Sequence, residues 1–167
     1  MGFFSHQREV EEAKVNLPIL TVQVNEATDL LETTIDPEVF FKSYDTLTNI
    51  LQKLVDVEHL IYFSCDHSTR RLEQAKADFS KETNKFIDRF CFETLMSIER
   101  VKIDRIRQKK IEDSYSVLFS CFNRMSKENI LRVQELYKCL KNNQPLHSSL
   151  LGDPIVQTEE FYQSIFP

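Results

Sequence analysis

Two glycines, Gly2 and Gly152, are all that a chain of 167 residues contains. That scarcity constrains the fold more than any other feature. A β-rich domain, or an α/β domain with phosphate-binding loops, needs glycine at many turns, because only glycine takes positive φ without a steric cost. A helical chain does not. From Thr69 onward, more than seventy residues pass with neither glycine nor proline. The reading is an all-α protein: an antiparallel helical bundle of four to five helices with one long helix near the middle.

The periodicity of apolar residues places the helices. Pro18 stands where a helix can begin, and Leu20, Val24, Ala27 and Leu31 follow at helical spacing, with Leu30 beside them. Asp36-Pro37 is a second start signal. The aspartate carboxylate can accept a free backbone N–H, and proline at the first helical position has no N–H to lose. Phe40, Tyr44, Leu47, Leu51 and Leu54 then form one stripe, widened by Phe41, Ile50 and Val57. YFSCDHST (62–69) reads as a connector, with Asp66 or Ser68 able to cap the next helix. Leu72, Ala75, Phe79, Phe86, Phe90 and Leu95 predict a long helix broken somewhere in 100–112. Ile111, Tyr115, Leu118, Phe122 and Met125 make a further pattern. Ser126 reads as an N-cap before Ile130, Val133, Leu136, Tyr137 and Leu140. The organisation expected is an N-terminal arm over 1–16, loose or briefly helical. A bundle over 17–141 and a loop with an apolar tail over 142–167 follow it.

Three stretches carry a resemblance. They are TTIDPEVFFKSYDTL (33–47), KFIDRFCFETLMSIERVKIDRIRQKKI (85–111) and MSKENILRVQELYKCL (125–140). Together they resemble a helical segment that recurs in predicted proteins of Gram-positive bacteria and their phages. There the pattern runs roughly TTxNPDVFFxRYDxL, a connector near FSG, NDFIDRYYxDTLxKIExLKTEKG and MSEENIxxIxxLYxxL. Order and approximate spacing match over about 17–140. Here Asp36 replaces the usual asparagine, and Ser43 the usual arginine. The resemblance implies a helical fold and a bacterial or phage origin. It implies no chemistry.

The residues themselves offer little to a catalyst. Asp36 and Asp45 lie nine positions apart, about 13 Å of helical rise, too far to share a proton. Asp36 therefore reads as a cap and Asp45 as a surface charge. Glu58, His59, Cys65, Asp66 and His67 supply enough donor atoms for zinc, but in none of the usual ligand spacings. No GxSxG or glycine-rich phosphate loop is present. Cys65 near His67 is the only local thiol–imidazole pair, and Cys91, Cys121 and Cys139 fall inside helices as small core residues. No catalytic residue, metal or cofactor is expected.

Binding remains. A formal net charge of −5 opposes general attraction to nucleic acid or anionic lipid, and no apolar run approaches the ~20 residues of a membrane span. One basic cluster stands out, with Arg100, Lys102, Arg105 and Lys109 as its candidate nucleic-acid contacts, but Glu99, Asp104, Glu112 and Asp113 interleave it. The tail PIVQTEEFYQSIFP places Phe161, Tyr162, Ile165 and Phe166 in a chain end, where such groups either dock back or fill a groove on a partner. The functional expectation is a non-enzymatic, cytoplasmic protein–protein interaction module of phage, prophage or Gram-positive origin. One version is an acidic antagonist of a host defence protein such as a CRISPR effector. A homodimer seam along an unburied helix face is a further expectation. The alternative is a nucleic-acid-associated regulator using segment 100–110.

Overall fold

In the computed structural model, residues 3–64 and 66–144 are described, and they form six α-helices and one 3-10 turn. The helices are α1 (Phe3–Thr33), α2 (Pro37–Tyr62), α3 (Asp66–Ala77), α4 (Phe79–Glu99), α5 (Asp104–Phe119) and α6 (Lys127–Lys141). The 3-10 turn spans Phe122–Arg124. No strand occurs among the described residues. The all-α reading holds, with six helices in place of four or five.

The longest helix is α1, at 31 residues, and not one near the middle. It opens at Phe3, so described residues read as an arm are helical. Pro18 lies inside α1 and does not start it. A proline within a helix costs one backbone hydrogen bond and crowds the carbonyl four residues back. The segment before it holds Glu9, Glu11, Glu12, Ala13 and Lys14, all good helix formers. Ala13, Leu20, Val24, Ala27 and Leu31 are buried on both sides of the proline. Packing of this one stripe carries the helix through it.

The long central helix is interrupted at Asp78, with α3 before it and α4 after. The backbone hardly departs from helical bonding there. Asp78 N–H donates to the Gln74 carbonyl at 2.9 Å, and Gln74 Nε2 donates to Asp78 Oδ1 at 2.9 Å. The interruption is therefore slight, and neither glycine nor proline marks it.

The described chain divides into two units. The first holds α1, α2 from Val39 onward, and α3 with Phe79. Leu30 of α1 shares a groove with Val39 of α2, while Asn16 shares one with Val57, so these two helices run antiparallel. Ser68 meets Glu58, and Phe79 meets Tyr44 with ring centroids 4.8 Å apart, so α3 runs back along α2. The core is the stripe read from the sequence: Phe40, Phe41, Tyr44, Leu47, Ile50, Leu51 and Leu54 are all buried.

The second unit holds residues 35–38 with α4, α5 and α6. Thr94 and Ser97 of α4 line one cleft with Asp113 and Ser114 of α5, and Lys110 Nζ reaches Ser97 Oγ at 3.3 Å, giving an antiparallel pair. Asn84 meets Asn129 and Asp88 meets Arg132, so α4 and α6 run in the same direction. Phe86, Ile87, Cys91, Leu95, Ile98, Ile111, Leu118, Val133, Leu136 and Leu140 fill its interior.

The helix ends follow the expected chemistry in part. Asp36 Oδ1 accepts the Glu38 N–H at 2.9 Å at the start of α2. Ser126 Oγ accepts the Asn129 N–H at 3.2 Å at the start of α6. Ser68 does not cap α3. It is buried inside the helix and donates to Glu58 Oε2 at 2.5 Å.

Candidate functional site

The basic segment is not one face. α4 stops at Glu99 and α5 starts at Asp104, so Arg100 and Lys102 lie in the joint and only Arg105 and Lys109 share a helix. All four are exposed, and none holds an ion pair among the described residues. Their neighbours are committed elsewhere: Arg107 Nη1 donates to Asn143 Oδ1 at 2.7 Å, and Lys110 to Ser97. Glu112 and Ser116 continue the Arg105–Lys109 line at seven and eleven residues, within roughly 20° of Arg105 on the helix. The positive stripe is therefore two side chains long before it turns acidic.

Inside the second unit lies a polar cluster that sequence reasoning missed. Arg132 Nη2 stands 2.8 Å from Asp88 Oδ1, and the two side chains are only 15% and 10% exposed. Cys91, one helical turn after Asp88, is buried against the same guanidinium. Burial pushes its thiol up from 9.0 to about 12, and Arg132 offsets only part of that. A thiol held neutral in this way is a poor nucleophile. Burial likewise pushes the Tyr137 hydroxyl up, with Thr94 and Ser114 as its polar neighbours. One signal was available: Asp88 sits between Phe86-Ile87 and Phe90-Cys91, on the apolar side of its helix. A carboxylate there needs a buried cation.

The other site candidates resolve differently. Phe161, Tyr162, Ile165 and Phe166 lie outside the described residues, as does Cys65. Glu58 is the acceptor of the Ser68 hydroxyl, and His59 and His67 are exposed. Among the described residues no group of three or more His, Cys, Asp or Glu side chains is placed to hold a metal ion. No helix among them is long and apolar enough to cross a membrane.

Among the described residues, α1 carries a row of exposed apolar side chains. Val15, Ile19, Val22 and Leu30 are 66%, 52%, 54% and 48% exposed. Their spacing of four, three and eight residues is that of a single helix face, with Glu26 filling the gap at the next expected position. The buried stripe through Ala13, Leu20, Val24, Ala27 and Leu31 lies roughly 140° away. Thus α1 carries two apolar faces. One is spent on the core. The other borders a groove of about 600 Å³ whose lining includes Glu26 and Leu30 of α1 with Lys42, Ser43 and Lys53 of α2. The sequence showed Leu30 but not the row, because a helix apolar on two sides has no clean periodicity.

No family model, curated protein or solved structure matches the chain.

Proposed function

We propose that the chain is a non-catalytic helical module that binds another protein, in a phage, prophage or Gram-positive bacterial setting. The exposed row on α1 carries the reading. Single exposed apolar residues are ordinary, but Val15, Ile19 and Val22 in succession on one helix face, with Leu30 beyond Glu26 beside a groove, make a patch. Helix-in-groove recognition uses anchors at this spacing. The setting draws its support from the resemblance over 17–140. The narrower version, an acidic antagonist of a host defence protein such as a CRISPR effector, draws support from the net charge of −5.

The test is affinity capture from host lysate with the wild-type chain and with Val22→Asp, each shown to be folded by circular dichroism. The expected result is a partner retained by wild type and lost by the variant. A partner held equally by both, or by neither, counts against α1 as the binding face.

The second reading is nucleic-acid contact. It draws support from the absence of ion pairs on Arg100, Lys102, Arg105 and Lys109 among the described residues. It predicts a salt-dependent mobility shift with DNA or RNA that disappears on Arg105→Glu with Lys109→Glu. No shift at low salt removes it.

A further inference from the structure

The α1 row contains its own specification. Val15, Ile19 and Val22 give two turns of apolar surface, and the next place in the row is Glu26, an exposed carboxylate with no ion pair among the described residues. A carboxylate within an apolar seam is tolerated only if the facing element brings a cation or a donor to it. A single polar group of this kind commonly fixes register and partner choice. The surrounding charges sharpen this. Glu11, Glu12 and Asp29 lie along the same side of α1, with Arg8 at its N-terminal end, and Glu11 is paired with Lys14 at 3.8 Å. Across the groove, Lys42 and Lys53 of α2 face Glu26 without an ion pair to it, and Asp56 lines the next groove with Ile19.

Resting on the protein-binding reading above, we infer that the α1 seam takes one amphipathic helix of a partner protein, apolar over two turns opposite Val15, Ile19 and Val22, with an arginine or lysine one turn further on that meets Glu26. The lysines on the far wall oppose a uniformly basic helix, so the cation is placed and not general. A second copy of this chain fits poorly in the two registers that lay the apolar row fully on itself. Laid antiparallel with Val15 on Val22, the row brings Glu26 against Glu11 and Glu12. Laid parallel in register, it brings Glu26 against Glu26. Both put like charges into the seam.

Two synthetic peptides of one amphipathic sequence test this. They share a leucine seam and differ at one seam position, arginine in one and glutamate in the other. Binding to the full-length chain is read by fluorescence anisotropy. Wild type is expected to prefer the arginine peptide by about tenfold, the scale of one desolvated charge contact. Glu26→Arg is expected to reverse the preference, and Val22→Asp to abolish binding of both, with circular dichroism unchanged in each variant. Failure to bind either peptide overturns the inference, as does an unchanged preference in Glu26→Arg. So does a sedimentation dimer that Val22→Asp dissolves, because the seam then belongs to a second copy. Lysate capture lost in Val22→Asp, but without a peptide preference, overturns the inference and leaves the protein-binding reading standing.

Discussion

In the α1–α3 unit the buried polar residues described are Ser43 and Ser68, while the α4–α6 unit takes in Thr83, Asp88, Thr94 and Asn129, with Arg132 against Asp88. The first unit is held by shape, apolar area and the hydrogen bond from buried Ser68 to Glu58. The second is held by shape, apolar area and a charge pair removed from most of its water. Desolvating two charges costs several kcal/mol per ion, and their attraction returns that only while both are present. The Asp88–Arg132 ion pair joins α4 to α6 at one level of the second unit. The units therefore differ in what a single substitution can do to them, and four measurements bear on that difference.

The largest effect is expected at the charge pair. Arg132→Ala removes the guanidinium 2.8 Å from the buried Asp88 carboxylate and should cost ~3–5 kcal/mol in urea denaturation. Asp88→Leu combined with Arg132→Met should recover most of that loss, since an apolar pair of similar volume needs no desolvation. A cost below about 1 kcal/mol for the single change would mean that the pair is solvated, and the contrast between the units would vanish.

Next is the pH response of the same cluster. The Cys91 thiol has its folded value raised from 9.0 to about 12, chiefly by burial. A group raised in the folded state contributes stability below its unfolded value and loses it as pH climbs toward the folded one. Wild-type stability should therefore fall as pH rises from 9 toward 12, and Cys91→Ala should fall less steeply over that window. Parallel slopes in thermal melts at pH 7, 9 and 10.5 would remove Cys91 as a cause. The same burial predicts that Cys91 resists alkylation at pH 8 in the folded chain and reacts on unfolding.

How much of this was legible depends on range along the chain. Phe40 through Leu54 were readable because their partners recur every third or fourth residue and proline marks the start. Asp36 and Ser126 were readable because a cap bonds within three residues. The Asp88–Arg132 pair spans two helices, and nothing local joins the residues; the only trace is a carboxylate on an apolar face. Pro18 misled because its rule is local. Proline prefers a helix start, but a stripe buried on both sides of it outweighs one lost hydrogen bond. The break expected within 100–112 falls between Glu99 and Asp104, but periodicity alone did not show that this joint takes Arg100 and Lys102 off the helix that carries Arg105 and Lys109.

The third measurement compares how each unit ends a helix. Phe63 follows α2 with φ of 57°, and Asn143 follows α6 with φ of 53°. Asn143 suits that left-handed position, and its side chain also accepts from Arg107. Gln144 N–H returns to the Cys139 carbonyl at 2.8 Å, which closes the turn. Phe63, 78% exposed, has a bulky side chain without the short polar group that suits asparagine to the same conformation. Phe63→Gly should stabilise the chain by ~1 kcal/mol, and Asn143→Gly by a few tenths at most. Equal effects would erase this difference between the units. A Phe63→Gly variant that is more stable but loses a captured partner would place the exposed ring in a binding surface.

The smallest expected effect is the most informative about α1. Ile19 and Leu20 are adjacent, yet Leu20 is buried and Ile19 is half exposed. If the outer row served folding, Ile19→Ser would cost as core positions do. Exposed substitutions away from caps and cores shift stability by about 0.5 kcal/mol or less. Ile19→Ser is therefore expected to leave the denaturation midpoint within that margin, and the same holds for Val15→Ser. A substantially larger loss would show that the row packs against something within the chain, and the face would no longer be free for a partner. A null effect on stability joined to a loss of binding would separate the two faces of α1 by function, since only contact with another molecule distinguishes an apolar face that folding does not need.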